Sequence, residues 1–178
     1  MTKIDTSDFS RKVDKVLSAY RKMPNEIAAI AVEFSKERFR EQAWLDVTKE
    51  SWKPRKQRRK GGKNKSQTLL VNKGTLKRSI RKVLANENTI IIGTNVKYAQ
   101  IQNDGGVIRE SVHIKDFERK AYTRLRQGRK ETVRAHKVSS HNRQMNIRIP
   151  ARPFLGVSYT LERRIYQHIT ASFMRALK

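Results

Sequence analysis

Cysteine is absent from the 178 residues. That removes disulfide staples, thiolate metal sites and a cysteine nucleophile together, and argues against a small secreted scaffold. Acids are scarce: 16 Asp and Glu stand against 41 Lys and Arg, so the formal charge is +25 and an acidic partner is expected. Hydrophobic content is 37%, below the roughly 45–50% usual for globular chains, which leaves room for one modest core. No run approaches the roughly 18 apolar residues of a membrane span, and the N-terminal "MTKIDTSDFSRKVDKV" carries no apolar signal core. A soluble protein made in a cytoplasm, with no membrane partner, is the expectation.

What is present is unevenly placed. Segment 46–82 holds 14 Lys and Arg against 2 acids and segment 107–148 holds 12 against 4, whereas 1–45 holds 9 against 7 and 83–106 holds 1 against 2. Two segments therefore carry most of the charge. Residues 1–178 read as a single domain with a basic loop at about 46–73 and a basic hairpin insertion at about 107–148.

Phe9, Val13, Val16, Leu17 and Tyr20 recur at helical spacing after a possible Asp8 cap, and Pro24 is expected to break that helix. A second helix is expected from Asn25 to about Leu45. "KESWKPRKQRRKGGKNKSQT" has nine basic residues between Lys49 and Lys65 and no apolar periodicity, which predicts a loop. Such a loop is either a solvated basic segment or one that lies on phosphate or an acidic protein surface.

Beyond it the pattern predicts a helical turn at Thr75–Ser79, antiparallel strands at about Ile80–Leu84 and Thr89–Gly93, and a short helix or turn ended by Gly105 and Gly106. "VIRESVHIK" and "ETVRAHKVSS" alternate as an extended hairpin joined by the basic "DFERKAYTRLRQGRK", and "QMNIRIP" returns to the core. Leu161, Ile165, Ile169, Phe173 and Leu177, at steps of four, predict a C-terminal helix. No internal repeat or coiled-coil heptad is present. The fold class is α+β, a small antiparallel sheet packed by N- and C-terminal helices.

No catalytic constellation emerges, and no cofactor is expected. "GGVIRE" and "KGGKNK" lack the glycine and lysine spacing of a P-loop or dinucleotide fingerprint. His113, His136, His141 and His168 form no metal-ligand pattern, and "HNR" at His141–Arg143 lacks the accompanying histidine and carboxylates of a nuclease.

Three stretches in order carry a family likeness: "LLVNKGTLKRSI", "IIIGTNVKYAQIQNDGG" and "IPARPFLGVS". Together they resemble the phage virion morphogenesis family, the tail-completion or protein S-like proteins, over about Trp52 to Ile165. Lys73 sits where the family often has threonine, Gln102 and Asn103 fill its usual histidine and glutamine positions, and Asp104 replaces a common aromatic. The resemblance implies a structural, non-enzymatic role: completing the tail or neck of a tailed phage or prophage so that head and tail join. It implies a ring of identical subunits, with a hexamer as the leading choice, located in the virion after assembly in the host cytoplasm. The implied partners are further copies and the adjoining tail and head or connector proteins; the basic segments face either those proteins or genomic DNA in the channel.

In "IPARPFLGVS", Pro150 and Pro153 stiffen an extended entry, Phe154 and Leu155 form an apolar plug, Gly156 permits close backbone approach, and Ser158 or Thr160 can cap the last helix. Two readings stand: the plug fills the subunit's own core, or Arg152, Pro153, Phe154 and Leu155, with Tyr98, meet a neighbouring subunit. Trp52 can pin the base of the basic loop. The residues expected to face an acidic partner or DNA are Lys53, Arg55, Lys56, Arg58, Arg59, Lys60, Lys63 and Lys65 in the loop, and Arg124, Arg126, Arg129 and Lys130 in the insertion. The alternative reading, from charge alone, is a nucleic-acid-binding protein of ribosomal or nucleoid type. Against it, the aromatics are few and not interleaved with the basic runs as stacking platforms.

Overall fold

The computed structural model describes residues 7–54 and 68–178. They form an α+β protein of small antiparallel sheets and N- and C-terminal helices. The chain divides into two compact units, one of residues 1–105 with 150–178 and one of Gly106–Ile149.

In the first unit, α1 runs Ser7–Glu41 straight through Pro24, where the sequence predicts a break. An interior proline removes one helical hydrogen bond and crowds the carbonyl four residues back, at a cost of about 3 kcal/mol. Tertiary packing, densest on its C-terminal side, offsets it. Met23, Ala28, Ala31, Phe34 and Phe39 are buried along one stripe. The C-terminal helix α4, Tyr159–Leu177, packs beside α1, tied to it by Glu26–His168 at 2.8 Å and Glu37–Arg164 at 2.8 Å.

The expected helix end near Leu45 also falls short. At Gln42 the backbone turns left-handed, φ 55, and Ala43–Leu45 (β1) pairs antiparallel with Lys49–Ser51 (β2). The Gln42 side chain explains the stop. Its Nε2 donates to the Phe39 carbonyl at 2.6 Å and the Leu69 carbonyl at 3.2 Å, and its Oε1 accepts from the Leu69 amide at 2.6 Å. Helical bonding gives way to a link with a distant segment.

The rest of the unit follows the sequence pattern closely. α2 is Thr75–Ser79, β3 Arg81–Ala85 pairs antiparallel with β4 Ile90–Gly93 around a bulge at Val83, and α3 is Ala99–Asp104. Asn86 makes the β3–β4 turn, its Oδ1 accepting from the amides of Asn88 and Thr89 at 3.2 and 2.7 Å. Phe39, Trp52, Leu76, Ile80, Ala99 and Phe154 form the core. Phe39 meets Trp52 edge-on at 5.6 Å and Phe154 at 5.1 Å.

The second unit is a two-stranded antiparallel ribbon. The pairing differs from the sequence expectation: "VIRESVHI" pairs with "HNRQMNIRI", β5 Gly106–Ile114 against β10 His141–Ile149. The basic connection is itself paired, as β6 Phe117–Arg119 with β9 His136–Val138 and β7 Tyr122–Arg126 with β8 Arg129–Val133. Register is the reason. Gln127 and Gly128, both at positive φ (49 and 78), make a two-residue turn whose twist suits a hairpin, and all three ladders keep the register it sets, from Arg126 opposite Arg129 to Gly106 opposite Ile149. The alternation then sorts the β5–β10 side chains, with Ile108, Val112, Ile114, Met145, Ile147 and Arg143 on one face and Val107, Arg109, His113, Asn146 and Arg148 on the other.

Candidate functional site

The "IPARPFLGVS" block is the junction of the first unit. Phe154 is fully buried, with 0% of its surface exposed, and Leu155 packs against the same core. Arg152 is buried too. Its amide donates to the Gln102 carbonyl at 3.0 Å, and its guanidinium Nε and Nη2 donate to the Lys53 carbonyl at 3.1 and 2.9 Å. The Trp52 indole donates to the Pro153 carbonyl at 3.0 Å. One short stretch thus holds the Trp52–Lys53 segment that follows β2 by three hydrogen bonds.

Asn103 completes the junction. Its Oδ1 accepts from the amides of both Phe154 and Leu155 at 2.9 Å, and its Nδ2 donates to the Leu155 carbonyl at 3.0 Å. Without it the residues around the fully buried Phe154 ring would lose backbone partners. Gly156 sits against Trp44, and a Cβ there would lie 3.4 Å from the indole, at the short edge of van der Waals contact. Ser158 caps α4 by accepting from the Leu161 amide at 3.3 Å and donates to the Leu45 carbonyl at 2.7 Å. Asp46 adds a carboxylate oxygen to the Tyr159 amide at 2.6 Å, and its carbonyl accepts from the Thr160 hydroxyl.

Sequence reasoning passed over Asn103, Gln42 and Asp46. Each acts on a backbone far along the chain, which no local periodicity registers. A signal did exist for Asn103: it fills a position where the resembled family places glutamine, another carboxamide.

The other candidates are dispersed. Tyr98, half exposed, precedes α3 and stands outside the core cluster. Lys53 has an exposed side chain. Arg55, Lys56, Arg58, Arg59, Lys60, Lys63 and Lys65 lie outside the described residues. Arg124, Arg126, Arg129 and Lys130 gather at the ribbon's turn. There the Arg124 Nε donates to Glu131 at 2.9 Å, and this hydrogen bond, reinforced by the guanidinium charge, holds the Glu131 carboxyl below its ordinary range and raises Arg124. Arg126 and Arg129 face each other directly across the ladder.

A further surface lies on α1. Its buried stripe continues toward the N-terminus as Phe9, Val13, Leu17 and Tyr20, all exposed, with Phe9 71% open. On the β3–β4 sheet, Leu84 and Ile91 are direct cross-strand partners and both are exposed, beside Val83 at the bulge. These apolar groups are in the segments of lowest net charge.

Among the described residues no group of three His, Cys, Asp or Glu could hold a metal ion, and no helix is long and apolar enough to cross a membrane. The geometry defines an α+β protein whose sequence block of highest specificity knits loop, sheet and helix together, and which leaves apolar and basic surfaces open. The chain belongs to the phage virion morphogenesis family, whose model matches residues 4–174, and its role is structural, in phage assembly. No curated protein and no solved structure matches it.

Proposed function

We propose that this chain completes the tail or neck of a tailed phage or prophage and mediates head–tail joining, as a non-enzymatic subunit of a ring. The family match over nearly the whole chain supports the assembly role. The observation that carries the self-association is the uncovered half of the α1 stripe, Phe9, Val13, Leu17 and Tyr20.

The farther half of that stripe already belongs to the buried face of its own unit, and α1 packs beside β3 and β4. The nearer half, in the next copy, fits the same kind of surface: the open face at Val83, Leu84 and Ile91. A contact between two different patches is heterologous, so successive copies close into a ring when the rotation permits, a hexamer being the leading choice. Charge favours this pairing over others. Segments 1–45 and 83–106 carry only +2 and −1, while the remaining segments would repel their own copies. Adjoining head and tail proteins then meet the completed ring at the tail or neck.

Disruption of the gene in the phage, followed by negative-stain microscopy, tests the joining role. Filled heads beside separate tails, or tails with abnormal ends, are expected. Intact, infectious virions would overturn it.

A further inference from the structure

We infer that the ribbon Gly106–Ile149 is a nucleic-acid-binding element that enters a groove of duplex DNA with its turn leading. This goes beyond head–tail joining and stands independently of it.

The ribbon holds 12 Lys and Arg against 4 acids. Two of the twelve are neutralised within it, Arg124 by Glu131 at 2.9 Å and Lys137 by Asp116 at 3.2 Å, which leaves ten. Among the described residues Arg126, Arg129, Lys130 and Arg134 make no ion pair. Arg126 and Arg129 stand directly opposite each other, an arrangement that destabilises a ladder unless an anion lies between or over the pair. An isolated two-stranded ribbon is marginal in water, so it gains most from a partner that wraps it. The ribbon of a second copy is a poor one, because it carries the same basic excess.

The distribution of the charge distinguishes duplex DNA from an acidic protein. In each ladder basic side chains point to both faces: Arg143 against Arg109 and Arg148, Lys137 against Arg119, and Arg126 with Arg129 against Lys130. A protein surface would meet one face. The walls of a DNA groove present phosphates to both, and the major groove, about 12 Å wide and 8.5 Å deep, admits a two-stranded ribbon. The five-residue β7–β8 ladder is roughly 17 Å long, enough to reach its floor. Arg119 lies over the Phe117 and Tyr122 rings at 5.6 and 5.8 Å, which places planar groups inside the basic ribbon where the sequence shows no regular interleaving.

The test is fluorescence anisotropy of the purified full chain with a labelled 30-base-pair duplex at several salt concentrations, alongside labelled polyglutamate. Tight, salt-sensitive duplex binding is expected, with polyglutamate much weaker. Arg126→Ala/Arg129→Ala/Lys130→Ala should make the slope of log affinity against log salt shallower by roughly 3, at about 0.9 for each phosphate no longer neutralised. Circular dichroism checks that the variant keeps the parent's melting profile. If it unfolds, the milder Arg126→Gln/Arg129→Gln replaces it, with roughly 2 expected. Parent-like slope and affinity in a folded variant would overturn the assignment, as would equal binding to polyglutamate that disappears in the same variant, which points to an acidic protein. Because no virion is involved, a negative result leaves the joining role untouched, and gene disruption decides that role whatever the chain binds.

Discussion

Asn103 and Phe154 are 51 residues apart, yet the Asn103 carboxamide oxygen accepts the Phe154 amide at 2.9 Å and the Leu155 amide at the same distance. Two donors and the Leu155 carbonyl depend on one side chain. Asn103→Ala leaves them short of partners, and at about 1–3 kcal/mol for an unsatisfied buried group the loss should be on the order of 3 kcal/mol. Asn103→Asp keeps the acceptor, loses the donor and places a second carboxylate beside Asp104, so it should fall between. Urea unfolding of the three proteins gives the order. Equal stability of parent and Asn103→Ala would show that solvent replaces the carboxamide without cost.

Phe154 occupies the centre of the core against Phe39, and Phe154→Ala should cost roughly 3–5 kcal/mol through removal of the ring and the cavity left behind. Arg152→Lys should cost less but measurably, because a single ammonium does not reproduce the guanidinium's paired donation to the Lys53 carbonyl. Thermal melts measure both. A Phe154→Ala protein that melts like the parent yet fails to assemble would move this side chain to a subunit interface.

Pro24 sits inside a continuous helix, so Pro24→Ala restores an amide donor and removes a steric conflict. The substitution should stabilise the first unit by about 1–3 kcal/mol, the upper end being the propensity difference in an exposed helix. A lower melting temperature would mean that the proline ring itself is required by the packing of α1 on α4.

The parts that were legible in the sequence are those whose signals are local. The α+β class followed from apolar spacing, α2 from "TLKRS", the β3–β4 hairpin from β-branched runs around Asn86–Asn88, and the α4 cap from the pair Ser158 and Thr160, of which Ser158 holds it. What escaped was decided by tertiary bonds. Pro24 reads as a break until packing with α4 is known, and Gln42 reads as helix until Leu69 arrives to bind its carboxamide. The ribbon's pairing escaped for another reason: several alternating stretches compete, and only the Gln127–Gly128 turn sets which residues face each other. Of the candidate site, the importance of "ARPFLG" was visible, but not Asn103 beneath it.

The Arg124–Glu131 pair gives a pH prediction. Glu131 has its carboxyl lowered by the hydrogen bond from Arg124, so its contribution to the ladder is present above the ordinary carboxylate value and is lost as pH falls through the lowered one. The protection factors of the β7–β8 amides, which compare exchange with the intrinsic rate at each pH, should therefore fall on acidification, and Glu131→Gln should abolish that dependence. High salt should weaken it as well, since both side chains are open to solvent. Identical acid behaviour in Glu131→Gln would assign the effect to another group.

The heterologous contact proposed for the ring has a consequence that a symmetric contact lacks. Leu17→Glu spoils the α1 stripe and leaves the sheet face intact, while Ile91→Glu does the reverse. Both positions are exposed, so each variant should fold with a stability within about 0.5 kcal/mol of the parent. Alone, each should be monomeric by light scattering, because every contact needs one of each patch. Mixed in equal amounts, an intact stripe on one variant meets an intact sheet face on the other, and heterodimers should appear without larger species. A self-complementary α1–α1 contact would behave differently: Ile91→Glu would still assemble, and mixing would rescue nothing. Full rings from either single variant would place the subunit interface elsewhere on the chain.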